Sequence, residues 1–381
     1  MIKRRWNLFL IICLVIPLSG CWDQQPLKYA RLVYSMGYEL DKNERLMQTI
    51  EIVRKSNPNP SSFQSEVHSA TGRTPRDIID ALQKKNSGHI TYFNQDIELF
   101  EDALAKKGIF PYLLTDFRSP DYPTSELHFI SVDGKPSKII EKKRVENLFI
   151  GEFLNRKIEN LQEKSVFPPE NAEIIFRKLL DPGEDFVLPS IQLKGKEVVT
   201  NGLALFHNDR LTGKLPLDQS VLFVLLSKKM GKTANITQKM PKEDWFDSSE
   251  YVTMEMNKRQ VKRKMKVVTD KKGTVHVKLK LQLQTTLIED TGDFSYNKKG
   301  KDKLNNQLSQ ELTKEAKKIT KILQEANCDA FGVGRQLMSY HPDVWKKKNW
   351  TKEYSKVKFH PEVEVEILDA GLVQPSKNIM E

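Results

Sequence analysis

Val275-His276-Val277-Lys278-Leu279-Lys280-Leu281-Gln282-Leu283-Gln284 alternates apolar and polar residues without a break. Successive side chains of a strand point to opposite faces, so a period of two gives one dry face and one wet face. That is the pattern of a half-exposed antiparallel sheet. Residues 251–269 read as the partner arm, joined through the turn Asp270-Lys271-Lys272-Gly273. Downstream, Leu304, Leu308, Leu312, Ala316, Ile319, Leu323 and Ala326 recur every three or four positions, which makes residues 301–326 a long helix with one apolar stripe. Residues 357–367 alternate again. A sheet with one dry face and a helix with one dry stripe bury each other, so the expected fold class is α+β.

Working back from this sheet, residues 198–207 and 211–215 read as strands around Asn208-Asp209-Arg210, and 218–227 as a helix. A C-terminal α+β domain is therefore expected over 196–381, an antiparallel sheet packed on the long helix. The N-terminal region, 29–195, is expected to hold two α/β subdomains, the second around 70–135, so that the chain has three mixed α/β domains. Its strands are placed at 32–40 and 46–53 around Asp41-Lys42-Asn43-Glu44, followed by a loop at 57–62. A helix starts after Thr74, with Pro75 where no amide hydrogen is needed and Asp77 completing the cap. Residues 89–98 read as a strand edge, 98–106 and 110–116 as short helices, and 126–132 as a strand. Residues 141–164 read as a helix with Val145, Leu148, Phe149, Phe153 and Leu161 on one face, and 174–180 as a short apolar segment.

The first residues have a different character. Lys3, Arg4 and Arg5 precede an apolar run from Trp6 to Pro17, broken only by Asn7, and then Leu18-Ser19-Gly20-Cys21. A signal peptide has about 7–15 apolar residues and small residues at its cut, whereas a spanning helix needs about 20. Residues 1–20 are thus expected to be a signal peptide of lipobox type. Cys21 is the expected lipidation site, S-diacylglycerol on its thiol and N-acyl on its amine, with 21–28 a polar tether. The chain's 381 residues allow two or three domains. Its 39% hydrophobic content allows sizeable cores and argues against wholesale disorder. The net charge of +11 stays strongly basic without the three leader cations, which suits anionic lipid headgroups. Export removes nucleic acid as a partner.

Little catalytic chemistry is legible. Once Cys13 leaves with the leader and Cys21 carries lipid, Cys328 stands alone and reads as a small buried hydrophobe. His68, His89, His128, His207, His276, His341 and His360 are spread without metal-ligand spacing. Phe331-Gly332-Val333-Gly334 follows a helix instead of opening one after a strand, so it reads as a tight turn and not a phosphate loop. Lys346-Lys347-Lys348, between Trp345 and Trp350, reads as a solvated turn beside two core tryptophans. No nucleophile–base motif is present; no enzyme, cofactor, metal site or assignable small-molecule ligand is expected.

Four stretches, taken in order, carry a resemblance. They are Leu18-Ser19-Gly20-Cys21-Trp22-Asp23; Lys107-Gly108-Ile109 through Leu113-Leu114-Thr115-Asp116-Phe117-Arg118; Gly202-Leu203-Ala204-Leu205-Phe206 with Leu211-Thr212-Gly213-Lys214-Leu215; and Asp329-Ala330-Phe331-Gly332-Val333-Gly334 with Pro342-Asp343-Val344-Trp345, Trp350 and the closing strand to Gly371. The chain resembles the GerAC-type spore germination lipoproteins, the C subunits of nutrient germinant receptors. The resemblance implies a three-domain α/β architecture and lipid attachment on the extracytoplasmic face of the inner spore membrane. It also implies polytopic A- and B-type receptor subunits as partners, and a non-catalytic role in spore germination. The alternative reading is a solute-binding lipoprotein of an exported transport system, which two similar lobes and a hinge would mark.

Overall fold

The computed structural model describes residues 30–55, 62–120, 122–240, 251–290 and 298–369. The first half of the chain builds a mixed sheet from β1 (Ala30–Leu40), β2 (Leu46–Lys55), β3 (Phe63–Gly72), β4 (His89–Thr91), β5 (Ile97–Glu101) and β6 (His128–Asp133). Helix α1 (Pro75–Lys85) follows β3; α2 (Asp102–Ala105) and α3 (Phe110–Arg118) join β5 to β6. Then come α4 (Pro136–Ile140), a two-stranded hairpin β7 (Arg144–Val145) and β8 (Leu148–Phe149), α5 (Ile150–Glu163) and α6 (Ala172–Leu179). Strands β9 (Val187–Lys194), β10 (Glu197–His207) and β11 (Arg210–Pro216) complete the sheet.

The strand order is β11-β10-β9-β6-β5-β1-β2-β3, with β4 also beside β1. The β1–β5, β5–β6 and β6–β9 pairs are parallel, and antiparallel hairpins close both ends. The sheet therefore runs on across the boundary expected at 195–196, since β10 pairs with β9 from Glu197↔Lys194 to Leu205↔Val187.

The second half holds α7 (Leu217–Leu226), β12 (Thr233–Lys239), β13 (Tyr251–Asn257), a 3-10 turn at Lys258–Gln260, β14 (Val261–Thr269) and β15 (Val275–Asp290). Helix α8 (Lys298–Glu325), α9 (Val333–Tyr340), α10 (Pro342–Lys347), α11 (Trp350–Glu353) and β16 (Lys358–Asp369) follow. The α+β class holds, with several sheets and packed helices. As read from the alternation, Val275, Val277, Leu279, Leu281 and Leu283 are buried, and so are Leu304, Leu308, Leu312, Ala316, Ile319 and Leu323 on α8. One departure concerns direction: the sheet is antiparallel except for β16, which runs parallel to β15 from His276↔Lys358. The long helix is the crossover that such a pairing requires. Its polar side also works. Asn305, Ser309 and Thr313 accept from the amides of Ile367, Val365 and Val363, each at 2.9 Å, so the outer edge of β16 is satisfied by side chains of α8.

Three local expectations are corrected. Residues 98–101 are strand, not helix: all five residues of β5 are buried between layers, so no polar alternation survives to mark them. The helix expected at 141–164 begins only at Ile150. Glu146 and Asn147 take left-handed backbone (φ 52 and 64) and turn the preceding residues into the hairpin. The helix start is fixed from afar, by Glu51 on β2 accepting from the amides of Ile150 (3.2 Å) and Gly151 (2.9 Å). Finally, β3 was not anticipated. Its side chains are mostly polar and half-exposed, yet it pairs with β2 along its whole length at the sheet edge.

The cap read at Thr74 is present: its hydroxyl accepts from the Asp77 amide at 3.2 Å, and Asp77 accepts from the Arg73 amide at 3.1 Å. One apolar core, including Leu99, Val132 and Leu205, continues from the large sheet to Leu281 and Leu308 under the small one. The other face of the large sheet packs Met36, Tyr38, Phe100 and Phe206 against α1, α3 and α6.

Candidate functional site

Cys21, the tether over 21–28 and Gly371 lie outside the described residues. Cys328, Trp345, Trp350 and the three lysines after Trp345 fall in the second half. Cys328 is fully buried just past α8, its thiol 3.8 Å from the Phe186 carbonyl, and burial pushes its pKa well above the ordinary thiol range. Trp350 is buried and Trp345 half-buried beside it, ring centroids 5.8 Å apart. Lys346 and Lys347 are exposed, and Lys348 pairs with Glu353 at 2.8 Å. The structure brings together two histidines that spacing left apart: His276 on β15 and His360 on β16, with ring nitrogens 3.2 Å apart. No group of three or more His, Cys, Asp or Glu among the described residues is arranged to hold a metal.

The Phe331–Gly334 stretch turns out to open a helix after all, at Gly332, whose left-handed backbone (φ 68) starts α9. Its amides are occupied by the chain itself. Asp329 accepts from the amides of Val333 (2.8 Å) and Gly334 (2.7 Å) and from the Trp350 indole (2.9 Å). Burial pushes the Asp329 pKa up, and these three donors pull against that. Gly334 is required here, because a Cβ would lie 2.5 Å from the Trp350 ring nitrogen. Asp329 also donates its own amide to Asp185 at 2.8 Å, and Asp185 accepts from the Asn208 amide at 2.8 Å. The Asp185 carboxylate thus ties the segment just past the long helix to the β10–β11 turn.

Beside this node lies a ring of four charges. Lys178 on α6 pairs with Glu170 and, at 3.2 Å, with Glu184; Lys229, past the end of α7, pairs with Glu170 at 2.7 Å and Glu184 at 3.6 Å. Arg335 on α9 adds contacts to Asp181 (3.4 Å) and Glu184 (3.5 Å). Over the ring is a cleft of about 330 Å³ whose lining also includes Arg177, Lys228 and Lys258, so cations outnumber acids there. Sequence reading missed these residues, which come from five separated segments; only the break at Pro168-Pro169 marks that Glu170 sits at a junction.

Burial would raise the pKa of Glu170, but Lys229 and Lys178 outweigh it and hold it down at about 2. For Lys178 burial wins and its pKa falls; for Lys229 the two carboxylates win over burial and it rises. The sign of the Glu170 contribution follows. Its folded pKa lies below the unfolded value, so its stabilisation is complete above about pH 4.5 and fades as pH falls toward about 2. Subtracting the pH–stability curve of Glu170→Gln from that of the wild-type chain should therefore leave a difference that declines over this window. A flat difference would rule out the ion pairing as its source.

These geometries bind segments together without indicating a reaction, and likeness to known proteins decides further. Residues 23–193 match the family described as spore germination protein N-terminal domain, and residues 201–371 match spore germination B3/GerAC like, C-terminal. The chain belongs to the GerAC-type spore germination family. The spore germination protein GerQC of Bacillus cereus is 23% identical over 372 residues, spanning 97% of this chain and 100% of that protein. The crystal structure of the GerBC protein superposes with a TM-score of 0.53 at 16% identity, covering 91% of this chain and 100% of that one, which shows a shared fold. The two GerAC-type segments meet at the β9–β10 turn, inside the large sheet. The node of Asp329, Gly334 and Trp350 lies wholly in the C-terminal segment.

Proposed function

We propose that this chain is the lipid-anchored, non-catalytic subunit of a spore germinant receptor. In this reading Cys21 holds it on the extracytoplasmic face of the inner spore membrane, where its folded part docks on polytopic A- and B-type subunits. The observation that carries the reading is the ordered match of both germination segments along one chain, directly behind a lipobox. No helix among the described residues is long and apolar enough to cross a membrane.

The exposed face of the small sheet supports docking against a negative surface. Lys266 stands directly opposite Lys278, whereas Lys280, opposite Lys264, is paired with Glu364. Like charges in register repel, and an anionic surface relieves that repulsion. The Cys21→Ala chain is expected to leave the membrane fraction and to abolish the nutrient response of spores. Membrane retention with normal germination would overturn the anchor. Capture of the intact chain from spore membranes should recover polytopic receptor subunits, and their absence would favour the solute-binding alternative.

A further inference from the structure

The charges of the cleft over the Glu170 ring do not balance. Six cations and two carboxylates line its space of about 330 Å³. On the floor they cancel, because Lys178 and Lys229 share Glu170 and Glu184, two ammonium groups to two carboxylates. The surplus is on the rim. Arg177 on α6, Lys228 just past α7 and Lys258 in the 3-10 turn are exposed and make no ion pair with any described residue. Arg335 on α9 reaches Asp181 and Glu184 only at 3.4 and 3.5 Å, longer than a charge-assisted hydrogen bond.

The ring decides which sign of ligand fits. Both carboxylates are already held by lysines, so a cationic group could enter only by displacing one of them. An anion displaces nothing. Like charges crowded around one concavity raise its potential, and the protein walls focus that field on whatever enters. A single exposed ion pair contributes little in water, so a monovalent ion gains little here. A small multivalent anion that meets several rim cations at once gains more. Lys228 adds a separate sign. It takes left-handed backbone (φ 62) just after the Ser227 cap of α7, where glycine is the usual residue. The fold supplies its side chain with no ion-pair partner among the described residues, so the strain is repaid by something from outside.

We propose that this cleft binds a small multivalent anion of phosphate or polycarboxylate type. Arg177 grips it from the N-terminal germination segment, and Lys228, Lys258 and Arg335 from the C-terminal one. The site is incomplete in either segment alone, and the bound anion ties α6 to α9 across the charge ring. This holds independently of the receptor reading.

The test is calorimetric titration of the full chain in non-ionic detergent, free of divalent cations, with sodium pyrophosphate and separately with sodium citrate. Saturable binding of at least one of them is expected, weakening as sodium chloride is raised, and the tighter of the two tells phosphate from carboxylate. Lys228→Gly is the decisive variant. It relaxes the backbone, so the thermal unfolding midpoint should hold or rise while affinity falls by about threefold. Arg177→Ala with Lys258→Ala removes two rim charges and should weaken binding by about tenfold. Lys346→Ala with Lys347→Ala removes two exposed lysines that do not line the cleft, and should leave affinity unchanged. The proposal is overturned if neither anion binds saturably at millimolar concentrations, or if Lys228→Gly binds like wild type. It is equally overturned if the Lys346 and Lys347 pair matters as much as the rim pair, which would mean general attraction to a basic chain.

Discussion

Replacing Glu170 by glutamine is expected to destabilise the folded chain by about 3–5 kcal/mol, the range for stripping one partner from a buried ion pair. The Glu170 side chain is only 6% exposed and is the carboxylate that Lys178 and Lys229 share. Its loss leaves two ammonium groups side by side, with only Glu184 between them. Lys178 is largely buried, so screening relieves little of the repulsion. Denaturant unfolding of the detergent-solubilised chain reads the effect as a lower midpoint. The double replacement Glu170→Gln with Lys178→Met should recover part of the loss, since it restores charge balance. A single variant as stable as wild type would mean that the ring contributes nothing to holding the junction.

The second large effect is expected at Asp329. Alanine there leaves the amides of Val333 and Gly334 and the indole N–H of Trp350 without their acceptor, in a site closed to solvent. At about 1–3 kcal/mol for each unsatisfied group, with partial relaxation, a loss of about 3–5 kcal/mol follows. Asparagine keeps one acceptor oxygen and should lose less. The ordering wild type, asparagine, alanine in unfolding midpoint is the diagnostic. Equal losses for both variants would mean that volume, not hydrogen bonding, governs the site.

What could be read from the residue order, and what could not, follows from how far away the deciding partner lies. The β14–β15 hairpin, α8 and β16 declare themselves because each has one face in water and one in the core, so periodicity reports the environment. Strand β5 has no wet face, and its Glu98 and Glu101 mimic helical composition while sitting inside. The start of α5 depends on Glu51, about a hundred positions earlier. The charge ring draws on segments from Glu170 to Arg335, and no local pattern joins them. The parallel course of β16 depends on where α8 delivers the chain, which alternation cannot report. The Thr74 cap, by contrast, is wholly local.

The position of β1 has a mechanical meaning. It is the first strand of the described residues and lies inside the large sheet, bonded to β2 on one side and to β5 and β4 on the other. A pull arriving at Ala30 cannot peel a strand from an edge. It loads two rows of hydrogen bonds in shear, and through β5, β6 and β9 it reaches β10 and β11, which belong to the other germination segment. Whatever holds the chain ahead of Ala30 is thereby joined to a stiff plate, and a displacement there moves both germination segments as one lever.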